Sequence, residues 1–154
     1  MTGLPQFNYP AFVEAAKQLR RKGYDVVSPA ELDDPDDKAA ALASKDGSML
    51  HYSHGTGKTW GDFLARDVKL LADDGVDAIV VLDNWERSKG ARLETFVGHL
   101  LGMRVMRFEW FYGGDFTIME VPLSVLASAW ADKEMLTIDD HYAQLDEYAA
   151  GEDW

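Results

Sequence analysis

The run Ala78-Ile79-Val80-Val81-Leu82 constrains the fold more than any other part of the sequence. Five consecutive apolar residues with β-branched side chains at their centre suit a strand covered on both faces. Such strands belong to parallel sheets with helices on either side. The flanking segments agree. Thr59 to Asp73 reads as a helix, with Thr59 and Asp62 as a capping box and Trp60, Leu64 and Leu71 at helical spacing. Ala91 to Leu101 reads as the next helix, stopped by Gly102, and Arg104 to Phe108 as the next strand.

The N-terminal part repeats the pattern. Tyr9 to Lys22 is a predicted helix with Pro10 in its first turn, a face of Phe12, Val13, Ala16 and Leu19, and Gly23 as its stop. Asp25 to Ser28 is a predicted short strand closed by Pro29. Glu31 to Lys58 is expected to be a long surface excursion with a helical turn around Lys38 to Ala43. Alternating helices and strands predict an α/β fold built on a doubly wound parallel sheet, flavodoxin- or Rossmann-like. Phe116 to Val121 is expected as an edge strand. Leu123 to Ala131 and Ile138 to Ala149 are expected to form a helical C-terminal tail.

A length of 154 residues suits a single domain spanning 1–154, large enough for a core without staples. Cysteine is absent, so a thiol nucleophile, a disulfide framework and a cysteine metal site are all excluded. The net charge of −12 opposes binding to nucleic-acid polymers and to anionic lipid, while leaving room for a small phosphorylated ligand in a locally basic pocket. No apolar run approaches the ~20 residues of a membrane helix. The start MTGLPQFNYP lacks the features of a signal peptide, so a cytoplasmic location is expected.

In open parallel sheets, ligands bind beyond the carboxyl ends of the strands. Here that position is the loop Asp83-Asn84-Trp85-Glu86-Arg87-Ser88-Lys89-Gly90, which leads into the helix carrying Glu94. Arg87, Lys89 and Arg92 gather at a helix start, where the dipole disfavours cations, and an anionic ligand there resolves the conflict. A solvated basic loop would explain the same charges. Glu94 falls in the first turn, where a carboxylate is often only electrostatic complement. Asp67 shares the stripe of Trp60, Leu64 and Leu71 and so points inward, where acids are rare unless paired or functional. Its structural explanation is pairing with an arginine such as Arg66.

Other motifs carry less. His54 to Thr59, HGTGKT, imitates a phosphate-binding loop, but Tyr52 stands where that motif requires glycine and no buried strand precedes it. His51 and His54 lack a third ligand, so no metal is expected. No serine triad is arguable. No cofactor is implied.

In order along the chain, MTGLPQFNYPAF, YDVVSPAE, W-x-x-FLARD and DAIVVLDNWERSKGARLETFVGHLLGM resemble a family of phage and bacterial proteins in the nucleoside 2-deoxyribosyltransferase superfamily. The resemblance covers 1–108 and leaves 109–154 as a C-terminal extension. Superfamily members break the N-glycosidic bond of deoxynucleosides or their 5′-monophosphates, using the glutamate of a G-x-x-x-E motif as nucleophile. Gly90-Ala91-Arg92-Leu93-Glu94 matches that motif, so the resemblance implies Glu94 as nucleophile. It further implies that Asp67 orients the sugar or protonates the leaving base, and that Asp83 is a polar site residue. Ser88 and the Gly90 backbone would face a 5′-hydroxyl or phosphate, with Arg92 adding charge. Gly3 and Asn8 would belong to the first site loop. Family members also carry a strand before the segment matching Met1, so the expected sheet lacks that first strand. Transferase-type members usually carry aspartate near the position of Ser88.

The expected function is therefore hydrolysis of the N-glycosidic bond of a (deoxy)nucleoside 5′-monophosphate. A base-exchanging deoxyribosyltransferase and a non-catalytic nucleotide-binding phage accessory protein are the alternatives. Superfamily members form homo-oligomers. Phe108-Glu109-Trp110-Phe111-Tyr112 places four aromatics in five residues, and a strand cannot turn all of them to one core. A homodimer or higher homo-oligomer burying Trp110 or Tyr112 is expected, unless the C-terminal helices cover these rings.

Overall fold

The computed structural model describes residues 4–47, 57–73, 75–111 and 114–131. They group into two compact units, Met1–Glu120 and Val121–Trp154. In the first unit, α1 (Tyr9–Arg21), α2 (Pro29–Leu32), α3 (Pro35–Ala43) and α4 (Trp60–Ala72) precede the strand β1 (Ala78–Val81). Then come α5 (Lys89–Leu100), β2 (Arg104–Trp110) and β3 (Phe116–Glu120). In the second unit the described residues contain α6 (Leu123–Trp130). Gly3, His51, His54, Tyr112 and the expected helix at 138–149 lie outside the described residues.

The fold is mixed α/β, around a sheet of order β1-β2-β3. β1 and β2 run parallel, with Ile79 opposite Val105 and Val81 opposite Arg107. Parallel neighbours need a crossover, and α5 supplies it. β3 returns antiparallel to β2, pairing Phe108 with Ile118, and so forms the expected edge strand.

Successive strand residues face opposite ways, and β1 shows the consequence. Val80 and the following Leu82 pack with Ala15 and Leu19 of α1 and with Phe108 and Phe116. Ile79 points the other way and meets α5 at Gly98, where an added Cβ would collide with Ile79 Cδ1. β1 is thus covered on both faces, as its unbroken apolar sequence predicts. A second core cluster joins Phe7, Tyr9, Ala30 and Ala41, with Phe63 packed against it.

The expected strand at 25–28 does not form. Residues 24–28 adopt no regular structure, and Val27 is 53% exposed. Arg20 Nη2 donates to the Val26 carbonyl at 2.7 Å, so a side chain takes the acceptor that a ladder would have used. Pro29 opens α2 instead of simply closing a strand. On α1 the buried face is Tyr9, Ala15, Ala16 and Leu19, while Val13 is exposed.

Two local features shape the cavity described below. Thr59 and Asp62 form the expected capping box, each side chain bonding the other's backbone N–H at the start of α4. Before α1, Gln6, Phe7 and Asn8 form a tight left-handed turn with φ of 54°, 49° and 61°. That turn drives Phe7 into the core.

Candidate active site

A cavity of about 580 Å³ opens where the left-handed turn, α4, the C-terminal end of β1 and the start of α5 meet. This volume lies within the range of small-molecule sites. α4 contributes Trp60, Phe63, Leu64 and Asp67, a spacing of i, i+3, i+4 and i+7 that sets all four on one helical face. The wall is apolar on the side of Phe7, Tyr9, Phe12 and Phe63. It is polar where Asp67, Glu94 and Ser88 approach.

Ser88 is the N-cap of α5, its Oγ accepting from the Ala91 N–H at 3.2 Å. The first turn of α5 holds no acidic residue, and Arg87 and Lys89 both line the cavity beside it. The helix N-terminus and two cations therefore present positive potential to one end of the cavity, in a chain of net charge −12.

Glu94 lies one helical turn further along the same face as Gly90, where a Cβ added to Gly90 would sit 3.9 Å from both Glu94 Oε1 and Ser88 Oγ. Burial, reinforced by the negative charge of Asp67, pushes the Glu94 carboxyl up to about 7. Burial also raises Asp67, against the opposing hydrogen bond from Arg66. Arg66 Nε donates to Asp67 Oδ1 at 2.8 Å, and its Nη1 bonds Asp33, which is almost wholly buried.

The expected site residues separate clearly. Glu94, Asp67, Asp83, Asn8, Ser88 and Gly90 all line this one cavity. Asp83 sits at its exposed edge, held by Arg107 Nη2 at 3.2 Å. Arg92 is not on the wall. It is 1% exposed and lies on the buried face of α5 with Thr95 and Gly98. Two residues along a helix turn the side chain by about 200°, so Glu94 and Arg92 cannot share the cavity. The charge expected of Arg92 is presented by Arg87 and Lys89. Asp33 and Phe63 also line the cavity without having been expected there, and Trp85 lines it from within the expected site loop. Phe63 was legible as the i+3 neighbour of Trp60. Asp33 arrives through tertiary packing and carried no local signal.

Among the described residues no cluster of three or more His, Asp or Glu side chains is placed to hold a metal ion. No helix among them is long and apolar enough to cross a membrane.

Residues 1–107 match the family described as a domain of unknown function (DUF4406), and the chain belongs to that family. No curated protein and no solved structure matches the chain.

Proposed function

We propose that this DUF4406 protein is an N-glycoside hydrolase acting on a (deoxy)nucleoside 5′-monophosphate, with Glu94 as nucleophile. One observation carries the proposal. A single cavity holds the Glu94 and Asp67 carboxylates at one part of its wall and the cationic start of α5 at another. That arrangement fits a ligand with a reactive sugar between a flat base and an anionic group. The apolar rings of Phe7, Phe12 and Phe63 offer the base a hydrophobic bed. Arg87, Lys89 and the positive end of α5 offer the phosphate its partners.

In the proposed reaction a Glu94 carboxylate oxygen attacks the anomeric carbon. The C–N bond breaks, its electron pair leaves with the base, and the base takes up a proton. Water then attacks the same carbon, expelling Glu94 and losing its proton to solvent, which releases the sugar phosphate. Asp67 contacts the sugar beside Glu94. The resemblance to the nucleoside 2-deoxyribosyltransferase superfamily supports this assignment through the match of Gly90 to Glu94. A doubly wound, flavodoxin-like arrangement and a cytoplasmic setting belong to the same proposal, and the parallel β1–α5–β2 unit supports the first of these.

One observation favours a binding-only alternative. A carboxyl pushed up to about 7 is partly protonated near neutrality, which blunts a nucleophile. Base exchange is the other neighbour, in which a second base replaces water. Incubating the protein with deoxynucleoside monophosphates, with and without added free base, separates all three. Release of free base by chromatography supports hydrolysis, and a new nucleotide supports transfer. Saturable binding by calorimetry without either product overturns the enzymatic proposal.

A further inference from the structure

Asp67 and Glu94 are two acids on one cavity wall, and among the described residues it is Asp67 that has a cation hydrogen-bonded to it. The Arg66 guanidinium is held from several sides. Its Nε bonds Asp67 Oδ1 at 2.8 Å, its Nη1 bonds Asp33, its Nη2 reaches the Pro29 carbonyl at 3.5 Å, and its Cζ lies over the Phe63 ring, 5.5 Å from the centroid. Asp33 belongs to the connection between α2 and α3, while Arg66, Phe63 and Asp67 belong to α4. A guanidinium clamped between two elements orients the carboxylate it binds. Among the described residues no guanidinium is hydrogen-bonded to Glu94, on α5, in this way.

We propose that Arg66 is a positioning residue: it holds Asp67 as an oriented carboxylate and leaves Glu94 as the member of the pair that exchanges protons with solvent. This deepens the glycosidase proposal, on which its catalytic meaning rests. Asp67 then accepts a hydrogen bond from the sugar, and Glu94 alternates between a protonated resting form and the attacking carboxylate. Among the described residues, other charges around the cavity are Asp33 behind Arg66, Asp83 tied to Arg107, and Arg87 and Lys89 at the start of α5. Of these groups, Arg66 is the cation bonded directly to a member of the pair.

The test is a carboxyl-carbon NMR titration of the full chain labelled at Asp and Glu, with Glu94→Gln and Asp67→Asn assigning the pair. Removing the cation in Arg66→Gln is expected to raise the upper titration step by about one pH unit or more, with Asp67 now sharing it. Arg66→Lys keeps the charge and loses the fork, so its step should move less. Asp33→Asn removes an anion that competes for Arg66 and acts on Asp67 directly, so it should move the step the opposite way, downward. A folded Arg66→Gln whose upper step stays at the wild-type value overturns the proposal. If Arg66→Gln does not fold, an unshifted step in Asp33→Asn overturns it instead. The titration needs no substrate. Shifts as expected in a protein that releases no base leave the Arg66 assignment standing and remove the glycosidase. Base release with unmoved titration steps does the reverse.

Discussion

At the residue scale, the position of Glu94 sets activity and stability against each other. If the ionised carboxylate attacks, base release should climb as pH rises through about 7 and level off above it. Glu94→Ala and Glu94→Gln should both lose at least about a hundredfold in base release, because neither offers a nucleophilic oxygen. A pH–rate series and single-turnover assays check this. Folding runs the other way. Burial raises the Glu94 carboxyl above its normal value of 4.5, so the native state holds a proton that the unfolded chain has released between that value and about 7. Stability from this group is full below 4.5 and falls as pH rises to about 7, by at most about 3 kcal/mol. Glu94→Gln should therefore melt higher than wild type at pH about 8 and show less advantage at pH about 5. Thermal melts at both values decide it, and equal differences at the two would refute the burial of an ionised Glu94.

At the element scale, the tightest constraint is the approach of α5 to β1. A Cβ at Gly98 would collide with Ile79 Cδ1 and lie 3.3 Å from its Cγ1. Gly98→Ala gains about 1 kcal/mol of helix propensity, but overpacking costs about 1–3 kcal/mol. We expect net destabilisation in urea unfolding. Ile79→Val, which deletes the clashing methyl, should recover part of the loss in the double variant. No recovery would place the strain elsewhere. The same scale explains what the sequence could reveal. β1 and the α4 cap were legible because both are local: an apolar run in one case, a Thr-x-x-Asp in the other. The segment at 25–28 misled because two valines carry β propensity, whereas a strand requires a partner, and Arg20 claimed the Val26 carbonyl. Glu94 and Asp67 were legible as neighbours in one cavity from strand order and helix stripe. Arg92 was not, because charges adjacent in sequence lie on opposite sides of a helix.

At the scale of the whole molecule, net charge and apolar surface compete. Trp110 and Phe111 are 43% and 54% exposed at the end of β2, and Met119 is exposed on the neighbouring strand. Such a patch invites self-association, while two copies each carrying −12 repel one another. We predict a homodimer joined through Trp110 that strengthens as salt screens the repulsion. Light scattering at low and high salt should show the dimer fraction rising, and Trp110→Ala should remove it. A wild-type monomer at both salts would count decisively against this surface as an interface.

The turn over Gln6, Phe7 and Asn8 has a consequence of its own, which concerns chirality. Each of these residues occupies the basin that l-amino acids avoid, at about 1–2 kcal/mol apiece, with asparagine the most tolerant. For a d-amino acid the same basin is the preferred one. Gln6 is exposed; its backbone N–H donates to the Ser44 carbonyl at 2.8 Å, and its side-chain amide donates to the Leu42 carbonyl at 3.3 Å. A chain assembled by chemical ligation with d-glutamine at position 6 would give up the weak side-chain bond and lose the steric penalty of the turn. The turn beside this cavity is thus a place where the mirror-image residue should fit the l-protein better than its own.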